Sequence, residues 1–99
     1  NVWFEKDRTT EVVIEVDAAW AHYFERRNIL PVQETVESRE DGSLVLRFLA
    51  CSEEEVVMCL KPWLPHVRIL KPEDVRNRLL KDFRQWIGWQ ETGPVTVLS

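Results

Sequence analysis

The stretch from Val32 to Ala50 limits the possible folds more than any other in this chain. Val32, Glu34 and Val36 alternate with Gln33, Thr35 and Glu37, the period of an extended strand. Glu40, Asp41 and Gly42 follow, and an Asp-Gly pair between two alternating runs predicts a tight hairpin with positive φ at the turn. The second run, Ser43 to Ala50, puts Leu44, Leu46 and Phe48 on one face and Val45, Arg47 and Leu49 on the other. A strand apolar on both faces belongs inside a sheet, so this hairpin needs further strands beside it.

Glu11 to Val16 supplies one, with Val12, Ile14 and Val16 on a single face. Asp17 is a helix N-cap for Ala18 to Arg27, where Trp20 and Phe24 share a stripe. Asn28 is expected to close that helix in a left-handed conformation, and Pro31 stops its continuation. Ser52 with Glu55 three residues on forms a capping box, so a second helix starts at Glu53 and turns Val56, Val57 and Leu60 inward. Pro62 and Pro65 bracket Trp63 and Leu64 and return the chain to a strand from His66 to Leu70. Pro72, Glu73 and Asp74 make the first turn of the last helix, with Val75, Leu79, Phe83 and Trp86 or Ile87 at helical spacing and Gly88 as its stop.

Strand, helix, strand, strand, helix, strand, helix is the order of an α+β chain. It predicts a ferredoxin-like β-α-β-β-α-β sandwich with a four-stranded antiparallel sheet and an added C-terminal helix. The expected strand order is fourth, first, third, second, with the terminal helix closing an open edge or packing across the sheet. Ninety-nine residues hold one such core. Residues 11–88 are assigned to it, residues 1–10 to a linker from a preceding domain, and residues 89–99 to a tail. A start without methionine suggests an excised part of a longer protein.

At 44% apolar and 30% charged residues the composition is that of a globular domain. No apolar run approaches the roughly 20 residues of a membrane span, and no secretory signal precedes the first strand, so a cytoplasmic, non-membrane protein is expected. The net charge of −4, with both signs interspersed, argues against this domain itself gripping nucleic acid. Cys51 and Cys59 are expected to be reduced and buried, because a helix between them holds them beyond disulfide reach. Five tryptophans, at positions 3, 20, 63, 86 and 89, exceed what a small core absorbs, so some are expected at an edge or a partner.

Catalytic signatures are missing: there is no Gly-rich phosphate loop, no G-x-S-x-G and no H-E-x-x-H. Cys51, Cys59, His22 and His66 lack the short spacing of a zinc site. Neither enzyme activity nor a cofactor or metal is expected. The sheet face away from the helices should show Val13, Glu15, Val45, Arg47, Leu49, His66 and Arg68. It carries no aromatic for stacking RNA bases. Glu11 and Glu15 can pair there with Arg47 and Arg68 across strands. Such a face is either solvated and laced by ion pairs, or a contact face for the terminal helix or a partner, with Val13, Val45, Leu49 and Leu70 adding apolar area. The last helix offers the same choice: Arg76, Arg78, Lys81 and Arg84 form a solvated side or an anion-facing patch. Candidate ligand or interface residues are therefore Arg76, Arg68, Arg47, His66 and Arg78.

The V-x-I-x-V strand, the helix ending in ERRNILPVQ, the hairpin EDGSLVLRF and the closing VRILKPEDVRNRL together resemble the C-terminal extension domain, WCX, of WYL-domain transcriptional regulators. The resemblance runs from about Glu11 to Phe83, and Gln33, Asp41, Gly42, Pro72 and Arg76 match positions of the family pattern. The loop before the last strand, usually glycine-containing, reads KPWLPH here. The resemblance implies a homodimeric regulator with a winged helix-turn-helix that binds DNA, an adjacent WYL domain that senses a nucleic-acid or other anionic effector, and this extension supporting dimerisation and sensing. The alternative from another class is a stand-alone ferredoxin-like module that binds a small ligand.

Overall fold

The computed structural model describes residues 9–92. Its elements are β1 (Thr10–Val16), α1 (Ala18–Arg26), β2 (Glu34–Ser38), β3 (Leu44–Ala50), α2 (Glu53–Leu60), a 3-10 helix (Lys61–His66), β4 (Val67–Lys71) and α3 (Glu73–Thr92). The four strands form one antiparallel sheet in the order β2-β3-β1-β4. This is the ferredoxin-like sandwich with an added helix that the element order predicts.

One face of the sheet builds the core. Val12, Ile14, Val16, Leu44, Leu46 and Phe48 from β1 and β3 meet Ala21 and Phe24 of α1 and Val56, Val57 and Leu60 of α2. Val75 and Leu79 of α3 join the same cluster. The added helix therefore lies on the helical side, beside α2 and β4, and leaves the opposite sheet face alone. The reading of that face as a contact surface for α3 is thereby corrected.

Both caps form as the sequence predicts: Asp17 Oδ1 accepts from the Trp20 N–H at 3.1 Å, and Ser52 Oγ from the Glu55 N–H at 3.1 Å. The Glu55 carboxylate reaches back one residue further than a capping box requires, to the Cys51 N–H at 3.1 Å.

Other expectations are corrected. Asn28 is not left-handed; α1 ends at Arg26, with Arg27 extended. Gln33 does the closing. Its Oε1 accepts from the Ile29 and Leu30 N–H groups at 3.0 and 3.1 Å, and its Nε2 donates to the carbonyls of Phe24 and Arg27 at 2.8 and 3.1 Å. One amide side chain thus satisfies four backbone groups between α1 and β2, which relieves Asn28 of that duty. Val32 has φ 49°, so it turns the chain instead of extending β2. At the hairpin only Gly42 adopts positive φ (+93°), and Asp41 contributes through its carboxylate, which accepts from the Ser43 N–H and hydroxyl. Pro72 sits at the N-cap of α3, its carbonyl accepting from the Arg76 N–H at 3.2 Å. Gly88 does not stop α3; helix-favouring neighbours carry it on to Thr92, since one glycine costs only about 1 kcal/mol. Both cysteines are expected in the core, but Cys51 is exposed and Cys59 only half-buried.

Candidate functional site

The last strand and the last helix enclose a groove of about 890 Å³. β4 forms one wall through Val67, Ile69 and Leu70, and α3 forms the other through Leu79, Leu80 and Phe83. Leu64 and Pro65 of the 3-10 helix close one end. The lining is apolar because β4 is an edge strand that α3 flanks without covering. Leu70 and Leu80 remain 42% and 36% exposed. Three charged residues, Arg68, Glu73 and Arg76, stand among these side chains.

Arg76 extends from the first turns of α3, and among the described residues no carboxylate lies within ion-pair distance of it. Arg68 is 76% exposed, with Nη1 at 3.5 Å from Glu15 Oε1. The structure thus gathers these two predicted residues at one groove. The other three lie elsewhere.

Arg47 rises from the open sheet face and is bonded to Glu11 through Nε, with Glu34 at 3.8 Å. That bond holds the Glu11 carboxyl below its ordinary value and raises the Arg47 guanidinium. Arg39, which the sequence reading did not single out, reaches Glu15 from the end of β2. Val13 and Val45 are buried between these pairs. The face is laced by ion pairs, as one of the two readings has it.

Arg78 binds Glu53 at 3.1 Å and Glu54 at 3.5 Å, which raises its pKa, and so fastens α3 to the start of α2. It belongs to the α2–α3 junction and not to the outer side of α3 predicted from sequence. His66 is the last residue of the 3-10 helix, not a strand residue on the sheet face. Its Nδ1 lies 2.9 Å from Asp17 Oδ2, and its ring is 5.0 Å from that of Trp20.

The KPWLPH loop owes its shape to aromatic packing. Trp63 lies 5.8 Å from Trp20, 5.2 Å from Tyr23 and 5.1 Å from Phe24, ring centre to ring centre. Arg27 sits 4.3 Å above the Tyr23 ring. Where a glycine would leave the loop free, Trp63 anchors it on α1. Trp86 and Trp89 are 52% and 72% exposed on the far half of α3. Trp3 lies outside the described residues.

Residues 8–87 match the family model of the WCX domain. The chain belongs to the WCX domain family. None of the curated proteins matches it. A WCX domain is a domain associated with WYL regulators, not a known enzyme family. In this WCX domain the positions quoted for the resemblance have visible work: Gln33 closes α1, Asp41 and Gly42 build the hairpin, Pro72 caps α3 and Arg76 stands at the groove. No helix of the described residues is long and apolar enough to cross a membrane.

Proposed function

We propose that this WCX domain is a non-catalytic regulatory and interaction module of a WYL-type transcriptional regulator, acting in the cytoplasm and supporting dimerisation and the response to an anionic effector. Residues 1–10 link it to the adjacent WYL domain, and DNA is contacted by a separate helix-turn-helix domain. The observation that carries this reading is the open apolar groove at the sheet edge with Arg76, which has no carboxylate partner among the described residues, beside it. Surfaces that combine exposed apolar area with an available guanidinium suit association with a partner or an anion.

The test is Arg76→Ala in the full-length regulator. Effector response or dimer assembly should weaken while the thermal midpoint of the domain stays within error, because Arg76 makes no ion pair among the described residues. A lowered midpoint with unchanged response would overturn the assignment. Sequencing upstream of the coding region provides a second check, since the absence of WYL and helix-turn-helix regions would remove the regulator itself.

A further inference from the structure

Strand order leaves β4 with a neighbour on one side only, β1. The Asp17 N–H bonds the His66 carbonyl at 2.9 Å, in step with the pairs Val16–Val67, Glu15–Arg68 and Ile14–Ile69. Alternation along an antiparallel ladder then turns the backbone groups of Val67 and Ile69 away from β1. The Val67 N–H is already taken by the Leu64 carbonyl. The Val67 carbonyl and both polar groups of Ile69 remain, and they face the side on which the groove lies. Its far wall is α3, so the hollow pairs a strand edge with the apolar flank of a helix.

We propose that this groove docks an extended, apolar peptide segment bearing a carboxylate, which adds to β4 as a fifth strand. A purely apolar ligand would leave the edge carbonyls and the Ile69 N–H without partners, whereas an extended backbone supplies both donors and acceptors at the right spacing. Pro65 and Pro72 stand just outside β4, so the ladder is limited to its five residues, about 16 Å of strand. Alternate side chains of the incoming strand fall between Leu70 and Leu80 or against Phe83. Charge selects an acidic segment, because Arg76 beside the groove has no acceptor among the described residues and Arg68, though 3.5 Å from Glu15, is 76% exposed. A second copy that lays its own β4 there is disfavoured by the same charges, so the dimer contact of the proposed function is not a β4–β4 seam. Two-fold pairing of β4 with itself would bring the two copies of Arg76, which has no carboxylate partner among the described residues, to one seam.

The proposal goes beyond dimerisation and effector response and is tested on the 99-residue chain itself. The probe is fluorescein-labelled Val-Glu-Val-Thr-Val-Glu, followed by anisotropy up to about 1 mM. Three outcomes are expected: saturable binding, its loss when alternate probe amides are N-methylated, and a drop of about tenfold with Arg76→Ala that disappears for a Gln-substituted probe. Leu70→Lys, at an exposed position that leaves the core intact, should also abolish binding. Absence of saturable binding, or equal binding of the N-methylated probe, would overturn the fifth strand. A chain that elutes as a dimer, excludes the probe and becomes monomeric with Leu70→Lys would assign the groove to a second copy instead. None of these failures touches the regulator reading, which stands or falls on effector response in the full-length protein.

Discussion

β2 and β4 are the two edges of one sheet, and the chain finishes them in opposite ways. Every residue of β2 is exposed, Glu34 and Glu37 put charge along it, and its pairing with β3 shifts register between Thr35 and Glu37. Charge and a bulge are the devices by which an edge avoids pairing with another strand. β4 sinks Ile69 into the core, holds Leu70 at the surface and faces a hollow instead of solvent. On the proposal of a docked fifth strand, the difference means that one edge is closed by charge while the other is kept receptive beside a helix.

The contrast can be broken most forcefully at Leu79, which is 4% exposed and forms both core and groove wall. Leu79→Ala should cost about 2–5 kcal/mol in urea unfolding and loosen α3 from β4, with β2 amides exchanging as before under native conditions. On the other edge, Gln33→Ala removes four hydrogen bonds at the entry to β2. A loss of about 2 kcal/mol is expected, with faster exchange in β2 than in β4. Uniform acceleration would show that the edges do not open separately.

Gly42→Ala strains the β2–β3 turn, since φ is +93° and the new Cβ would stand 3.1 Å from that of Ala18. A loss of about 1–2 kcal/mol is expected from thermal unfolding. Acid acts on the open face. The folded Glu11 carboxyl titrates below its ordinary 4.5 because Arg47 binds it, so its contribution is complete above that value and fades as pH falls through the lower folded one. Glu11→Gln should flatten this part of the stability–pH profile. The smallest effect belongs to Leu70→Lys, which should leave stability within about 0.5 kcal/mol while giving β4 the kind of charge β2 already carries.

Much of this was legible in the chain because local chemistry decided it. Alternation in Val12–Val16 and Leu44–Phe48 marks the central strands, Asp17 and Ser52 announce their helices, and the Glu11–Arg47 and Glu15–Arg68 pairs follow from strand order. What escaped depends on distant partners. Arg78 resembles its exposed neighbours until α2 brings Glu53 and Glu54 to it. The positive φ of Val32, a β-branched residue, is enforced by the turn between Pro31, whose carbonyl bonds the Leu49 N–H, and Gln33. The groove has no motif at all, since it is a space between β4 and α3 and exists only once both are in place.

Asp17 carries one last consequence. Its Oδ1 caps α1 three residues away, while its Oδ2 and N–H hold His66, forty-nine residues along the chain. A local start signal and a long-range strand junction thus share one side chain. Replacing Asp17 therefore removes a local helix cap and a contact to the entrance of the fourth strand together.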